Sequence, residues 1–300
     1  REIITLYRGK KMNLAQKIAW NKDQAEKNGW TPNLWDCSDF NEQMVDNIIS
    51  FQKEYGLSAD GLCGSTTYRT KVSVEMQEDT LTLHSNSSEY IIYNDERFPI
   101  KWDKVVLWGE KGGLKCESGT YSYYSYKRLP RFMVTHWDVC LSSSICAKVL
   151  RDRGISVHFC IDNDGTIYQL MDINHAAWHA GSRNWNHSSV GVEVSNAYSL
   201  KWQDWYQDKG FGSRPIVKDA KVHGSTLDPF LGFYDIQKQA LSALYEAIHN
   251  ATGIPYETPN VKDGVDPQCA NDLFTGFCSH YHLTTRKIDC AGLDIEKLFK

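Results

Sequence analysis

Ile155-Ser156-Val157-His158-Phe159-Cys160-Ile161-Asp162-Asn163-Asp164-Gly165-Thr166-Ile167-Tyr168-Gln169-Leu170 is the stretch that decides the fold. Two short runs rich in β-branched and aromatic residues flank Asp162-Asn163-Asp164-Gly165, four residues suited to a tight reversal, so the pattern predicts a β-hairpin. Upstream, residues 132–136 read as a strand. Ser142 or Ser143 then caps a helix that carries Ile145, Val149 and Leu150 and stops at Gly154. Downstream, residues 190–195 read as another strand, and Ile236, Ala240, Leu241, Leu244, Ala247 and Ile248 mark an amphipathic helix ending near Gly253. Strands alternating with helices predict an α/β fold, a mixed central β-sheet packed by helices.

Outside this region the pattern changes twice. Over residues 1–72 the apolar positions Leu14, Ile18 and Ala19, then Met44, Ile48, Ile49 and Phe51, recur at helical spacing, which predicts a small three-helix domain. Gly56 is placed to end its second helix, and Ser65-Thr66 to begin the third. Residues 73–130 hold short strand-like runs at 80–83, 90–93, 104–108 and 121–124, separated by turns such as Ser85-Asn86-Ser87-Ser88 and Gly112-Gly113. This predicts a strand-rich extension of the domain that fills 131–300. The tyrosines at 121–126 read as hairpin packing, with stacking on sugar rings as the alternative.

The chain has 300 residues, enough for one large domain or two modest ones. Against 37 acidic residues stand 33 Lys+Arg, a formal net charge of -4. There is no global positive field for nucleic acid, and no apolar run approaches the roughly 20 residues of a membrane span. Nine cysteines cannot all pair, and no CxxC motif occurs, which argues against a zinc ribbon or a dithiol oxidoreductase. Most of the cysteines read as buried small hydrophobes of a chain folded in a reducing compartment.

Histidines gather at three places that a sheet can bring together: His136 in Met133-Val134-Thr135-His136-Trp137-Asp138, His175 and His179 in His175-Ala176-Ala177-Trp178-His179-Ala180-Gly181, and His280 and His282 ahead of Arg286-Lys287-Ile288-Asp289-Cys290. Neutral imidazoles joined by one carboxylate or thiolate make a tetrahedral zinc site with an open fourth position, the arrangement of a hydrolytic metal. HExxH, the mark of another class of zinc peptidase, is absent.

In order along the chain, Val134-Thr135-His136, Ser156-Val157-His158-Phe159 leading into Asp164-Gly165-Thr166-Ile167-Tyr168-Gln169, Ala177-Trp178-His179-Ala180-Gly181, Asn186 with Ser189-Val190-Gly191-Val192-Glu193-Val194, and the 280–289 segment together resemble the zinc-dependent N-acetylmuramoyl-L-alanine amidases, relatives of the peptidoglycan recognition proteins that include phage lysins. The resemblance covers about residues 132–293. It implies one zinc ion held by His136, a histidine of the 280–282 pair and the residue after Lys287-Ile288. His280 is preferred over His282 because it follows a small residue, and Asp289 over Cys290 by its spacing from the lysine. It also implies cleavage of the amide between N-acetylmuramic acid and L-alanine in bacterial peptidoglycan. Glu193 is the candidate general base, because the valines at 190, 192 and 194 share one strand face and leave Glu193 on the other. Lys287 is the candidate oxyanion donor. Trp178, His179, His158 and Asn186 are candidate substrate contacts.

At the other end, Phe51-Gln52-Lys53-Glu54-Tyr55-Gly56-Leu57 with Asp60-Gly61, Gly64 and Thr66 resembles the peptidoglycan-binding module found on many cell-wall hydrolases. The combination suits a phage endolysin, made in the host cytoplasm without a signal peptide and acting on the wall. The same architecture suits a secreted autolysin. A non-catalytic peptidoglycan-binding protein of the same fold is the alternative function.

Overall fold

The computed structural model describes residues 6–7, 10–75 and 89–299. The strand expected at 80–83, the turn at 85–88 and His84 lie outside the described residues. The chain divides into two compact units, one built from residues 1–77 with 152–154, the other from 78–151 and 155–300.

The smaller unit contains α1 (Leu14–Asn28), α2 (Glu42–Glu54) and α3 (Ser65–Glu75). Asn13 caps α1 reciprocally with Gln16, and Gly29 closes it in the left-handed conformation, φ 71°. Leu14 is 37% exposed, and the buried positions of α1 are Asn21, Ala25 and Asn28. The apolar face expected from Leu14, Ile18 and Ala19 is therefore not the one that packs. The reason is a polar one: the Asn21 amide donates to the Gly61 carbonyl and accepts from the Cys63 amide, 2.9 and 2.8 Å. Gln52 of α2 completes the same knot, accepting from Gly61 N and donating to Asp60 and to the Leu62 carbonyl. Two buried amides thus satisfy a turn that would otherwise bury unpaired backbone groups. Around it, Met44, Val45, Ile48 and Phe51 are the buried apolar residues of α2; Met44, Ile48 and Phe51 are the expected positions, whereas Ile49 is only half-buried.

The larger unit contains the sheet. Its strands include β1 (Tyr90–Tyr93), β2 (Glu96–Pro99), β3 (Val105–Leu107), β4 (Tyr121–Ser122), β5 (Phe132–Trp137), β6 (Phe159–Ile161), β7 (Ile167–Gln169), β8 (Ala176–Ala177), β9 (Ser189–Val194) and, after the helices and two short hairpin-like pairs within 216–231, β10 (Gly276–Ser279). Six of them form one sheet in the order β10-β5-β9-β6-β7-β3. All neighbours are parallel except β6 and β7, the hairpin, in which Ile161 faces Ile167. The sheet is mixed, as the sequence predicts.

Two helices flank it in sequence as predicted: α4 (Ser143–Asp152) and α7 (Asp235–Thr252), with α5 (Arg183–Ser188) and α6 (Gln203–Asp208) between them. The Ser142 hydroxyl accepts from the Ile145 amide, which makes Ser142 the cap of α4. Ala240, Leu241, Leu244, Ala247 and Ile248 of α7 share one buried cluster with Val190, Val192 and Val194. Each such aliphatic side chain contributes roughly 1.5–3 kcal/mol by leaving water. Because side chains alternate along a strand, the same register turns Gly191 and Glu193 to the opposite face. Thr135 bonds the Tyr245 hydroxyl of α7 at 2.6 Å, so its neighbour His136 also points to that opposite face.

Two buried arginines have no counterpart in the sequence reading. Arg128 donates to the carbonyls of Ile173, Asn174, His187 and Ser189, and burial pulls its pKa down to about 10. Arg214 lies between the rings of Tyr206 and Tyr234, 4.2 and 4.4 Å from their centres, and bonds Ser195 O, Gly232 O and Gln237. Arg128 ties its loop to the start of β9, and Arg214 ties the segment just after β9 to Gly232 and to the first turn of α7.

Candidate active site

The site forms where parallel strands end. His136 is the fifth residue of the six in β5, Glu193 is its register partner in β9, and His280 follows directly after β10. Since β10, β5 and β9 are adjacent, three segments far apart in sequence deliver His280, His136 and Glu193 side by side. In open α/β sheets the crevice at the carboxyl ends of the strands is where ligands bind.

Asp289 arrives from the following loop, held by the bond from the Tyr281 amide to its carbonyl, 2.9 Å. Its Oδ2 lies 3.0 Å from His136 Nδ1 and 3.2 Å from His280 Nδ1. One ligand atom from each of the three lies within 4.8 Å of the others, and all three residues are buried. Among the described residues no other group of three His, Cys, Asp or Glu residues meets that spacing.

The charges are set by burial and by mutual contact. Burial, offset in part by Asp289, pushes His280 down to about 4, so its imidazole is neutral at pH 7. Burial by itself would raise the Asp289 carboxyl, but attraction to His280 and the hydrogen bonds from both imidazoles outweigh it and hold the group well below the usual carboxylate range. Two imidazoles with one ionised carboxylate are a donor set suited to a borderline-soft dication with one coordination position left over.

His282 and Cys290 are directed elsewhere. His282 Nδ1 accepts from the Ser279 amide at 3.0 Å and serves the turn in which it sits. Cys290 belongs to the apolar cluster beneath the sheet, and burial raises its thiol well above the ordinary value.

Around the triad the other candidates fall into two groups. His179 shares a hydrogen bond with His136, Nδ1 to Nε2 at 3.0 Å, and another with Ser189 Oγ at 3.1 Å. Its ring lies over Gly191, where a methyl group would sit 2.7 Å from the imidazole. Only glycine at 191 leaves His179 in place. His158 is fully buried below: it accepts from the Gly191 amide at Nδ1 and donates from Nε2 to the His175 carbonyl. Burial, reinforced by Arg128, pushes it down to about 3. Asn186 Oδ1 accepts from the amides of His179 and Ala180, fixing that loop. Trp178 is 36% exposed and donates to Ser122 Oγ. Glu193 is buried at 4% exposure, and Lys287 is half-buried, with its charge among those that depress His280.

Sequence reasoning did not find Ser189, Gly191 and Arg128 as supports of the site. Ser189 and Gly191 lie two residues apart on the strand face that also carries Glu193. That alternation is the signal that marks them. Arg128 lies in a loop and leaves no such mark.

The pattern of the family described as "N-acetylmuramoyl-L-alanine amidase" matches residues 126–289, more than half of the chain. No curated protein matches the sequence. Among solved structures, the chain is similar to the amidase LysC from Clostridium intestinale at 17% identity and a TM-score of 0.37, covering 65% of this chain and 94% of that one. It is similar to a mutant endolysin from Bacillus subtilis at 16% identity and a TM-score of 0.36, over 62% of this chain and 88% of that one. AmpDH3 from Pseudomonas aeruginosa, solved in complex with anhydromuramic pentapeptide, is 20% identical with a TM-score of 0.37, over 62% of this chain and 65% of that one. With the family pattern running from just before β5 to the carboxylate of the triad, the chain belongs to the N-acetylmuramoyl-L-alanine amidase family.

Proposed function

We propose that this chain is a zinc-dependent peptidoglycan hydrolase that cuts the amide between N-acetylmuramic acid and the L-alanine of the stem peptide. The observation that carries the reading is the convergence of His136, His280 and Asp289 at the carboxyl ends of adjacent strands, in a chain of that family. A zinc ion held by these three would supply Lewis-acid polarisation of the scissile carbonyl and make water acidic enough to ionise near neutral pH.

The other residues handle protons, charge and position. Glu193 takes the proton of the attacking water and returns it to the leaving nitrogen of L-alanine, which departs as a free amine. Lys287 donates to the oxyanion that develops on the muramoyl carbonyl. Trp178 offers its exposed face to the substrate. His179, packed on Gly191 and bonded to His136, keeps that imidazole in orientation, and His158 and Asn186 hold the strand and loop that carry His179.

The purified chain is expected to bind about one zinc per molecule and to release L-alanine amino ends from peptidoglycan without releasing reducing sugars. Metal content measured with end-group analysis decides this; reducing sugars in place of amino ends would overturn it.

Residues 1–72 form the wall-binding module in this reading. The support is the three-helix unit and its hydrogen-bonded Asp60-Gly61 turn. A chain lacking residues 1–72 should lose sedimentation with insoluble walls at least tenfold more than it loses hydrolysis of a small soluble muropeptide, because a second weak site acts through effective concentration. Equal losses would remove the targeting role. The combination of targeting module and amidase suits a phage endolysin. Expressed inside bacteria, such a chain lyses its host only after the inner membrane is breached, and lysis without a breach would count against it.

A further inference from the structure

The proposed reaction leaves one surface feature unused. Tyr121-Ser122-Tyr123-Tyr124-Ser125-Tyr126 carries four aromatic rings in six residues and no charged side chain. Tyr123 is 70% exposed and Tyr126 60%. Large aromatic faces left open together mark binding surfaces more often than packing.

These rings are held in place. In the ladder of β4 with β8, Tyr121 faces Ala177 and Ser122 faces Ala176. The Tyr123 ring lies 4.4 Å from His175, whose imidazole also stacks on Tyr121 at 5.7 Å and 16°. The Tyr124 hydroxyl bonds His187 Nδ1 at 2.8 Å, and the Tyr126 carbonyl accepts from Asn174 at 3.0 Å. Ser122 accepts from Trp178, the residue before His179. The tyrosines are thus braced on the segments, 174–178 and α5, that also position His179 against His136.

We propose that Tyr123 and Tyr126 form a saccharide subsite that stacks on neutral N-acetylhexosamine rings of the glycan strand, beyond the muramoyl unit whose amide is cut. This rests on the amidase reading for the identity of the strand. The chemistry favours sugar over stem peptide. The C–H face of a pyranose is flat and apolar with a polar rim, which matches tyrosine rings edged by hydroxyls, whereas the carboxylates of a stem peptide call for cations, and the neighbouring Lys127 is turned onto the Tyr93 ring, 5.0 Å from its centre.

The test has two arms. In the first, the full chain is titrated with chitotetraose, a neutral β-1,4-linked N-acetylglucosamine oligomer. Tyr123→Ala and Tyr126→Ala should each weaken binding about fivefold, while Tyr123→Phe, which keeps the ring, should bind as the parent does. In the second, rates are compared on polymeric peptidoglycan and on a muramoyl tripeptide with no second sugar. The ratio of the two should fall about tenfold in the double variant, with circular dichroism confirming that it is folded. Lack of chitotetraose binding by the parent chain, an unchanged ratio, or capture of sugar-free stem peptide at the tyrosines would each overturn the subsite. If tyrosine-dependent chitotetraose binding is present but no amide is cut, the subsite stands and the amidase reading fails. If amides are cut and the ratio does not change, the reverse holds.

Discussion

Replacing Asp289 with alanine is expected to empty the site of zinc and to lower amide hydrolysis by about 10³-fold or more, the loss of several kcal/mol of transition-state stabilisation. The carboxylate lies within 3.2 Å of both His136 and His280, so its removal takes away the negative charge among the three donors and the hydrogen-bond partner that the two buried imidazoles share. Cys290→Ala is the matched control. Its thiol lies in the apolar cluster on the other side of the chain, so this variant should keep its zinc. Metal analysis by mass spectrometry, run beside turnover, checks both. A zinc-loaded, active Asp289→Ala would remove Asp289 from the site, and loss of zinc in Cys290→Ala would transfer the role to the thiolate.

Glu193→Gln should lower kcat by about 10² to 10⁴-fold while zinc content and KM stay near their original values. Glutamine has almost the same shape, so the packing of β9 between β5 and β6 is kept, while the group can no longer accept a proton from water. Parallel loss of zinc would show that Glu193 holds the metal or its neighbours and is not the base. An unchanged rate would show that the proton passes through another group, for which His179, hydrogen-bonded to His136, is a candidate.

Much of the larger unit is legible in the order of its residues because each element there advertises itself locally. The Asp162-Asn163-Asp164-Gly165 reversal yields the antiparallel pair of β6 and β7, with Gly165 at φ 83° where a side chain would be strained. Alternation in 189–194 separates the valine face from Gly191 and Glu193. The 3.6-residue spacing of 236–248 gives α7 and its buried stripe. β10 shows no such sign. All four of its residues are buried, so Gly276-Phe277-Cys278-Ser279 has no polar alternation to reveal it, and what makes it a strand is pairing with β5, which lies over a hundred residues earlier. The short β4 contracts the expected 121–124 strand to two residues for a related reason: its only partner in the ladder is the two-residue β8.

In the smaller unit the periodicity of α2 was sufficient and that of α1 misled. A buried asparagine contributes by bonding a distant turn, and hydropathy spacing has no means of seeing a partner 40 residues away.

The sequence by itself determined the α/β alternation, the family and the types of residue on which the proposed chemistry draws: imidazoles, a carboxylate after a lysine, and an acid among valines. These are local or pairwise patterns, readable from spacing and side-chain type. The tertiary structure decided which of the competing groups meet. His280 joins Asp289 while His282 turns back to the Ser279 amide, and Cys290 goes to the apolar side as Asp289 goes to the site. Neighbouring residues are sent to opposite environments by strand order and backbone direction, and those are fixed only when β10, β5 and β9 come together in one sheet.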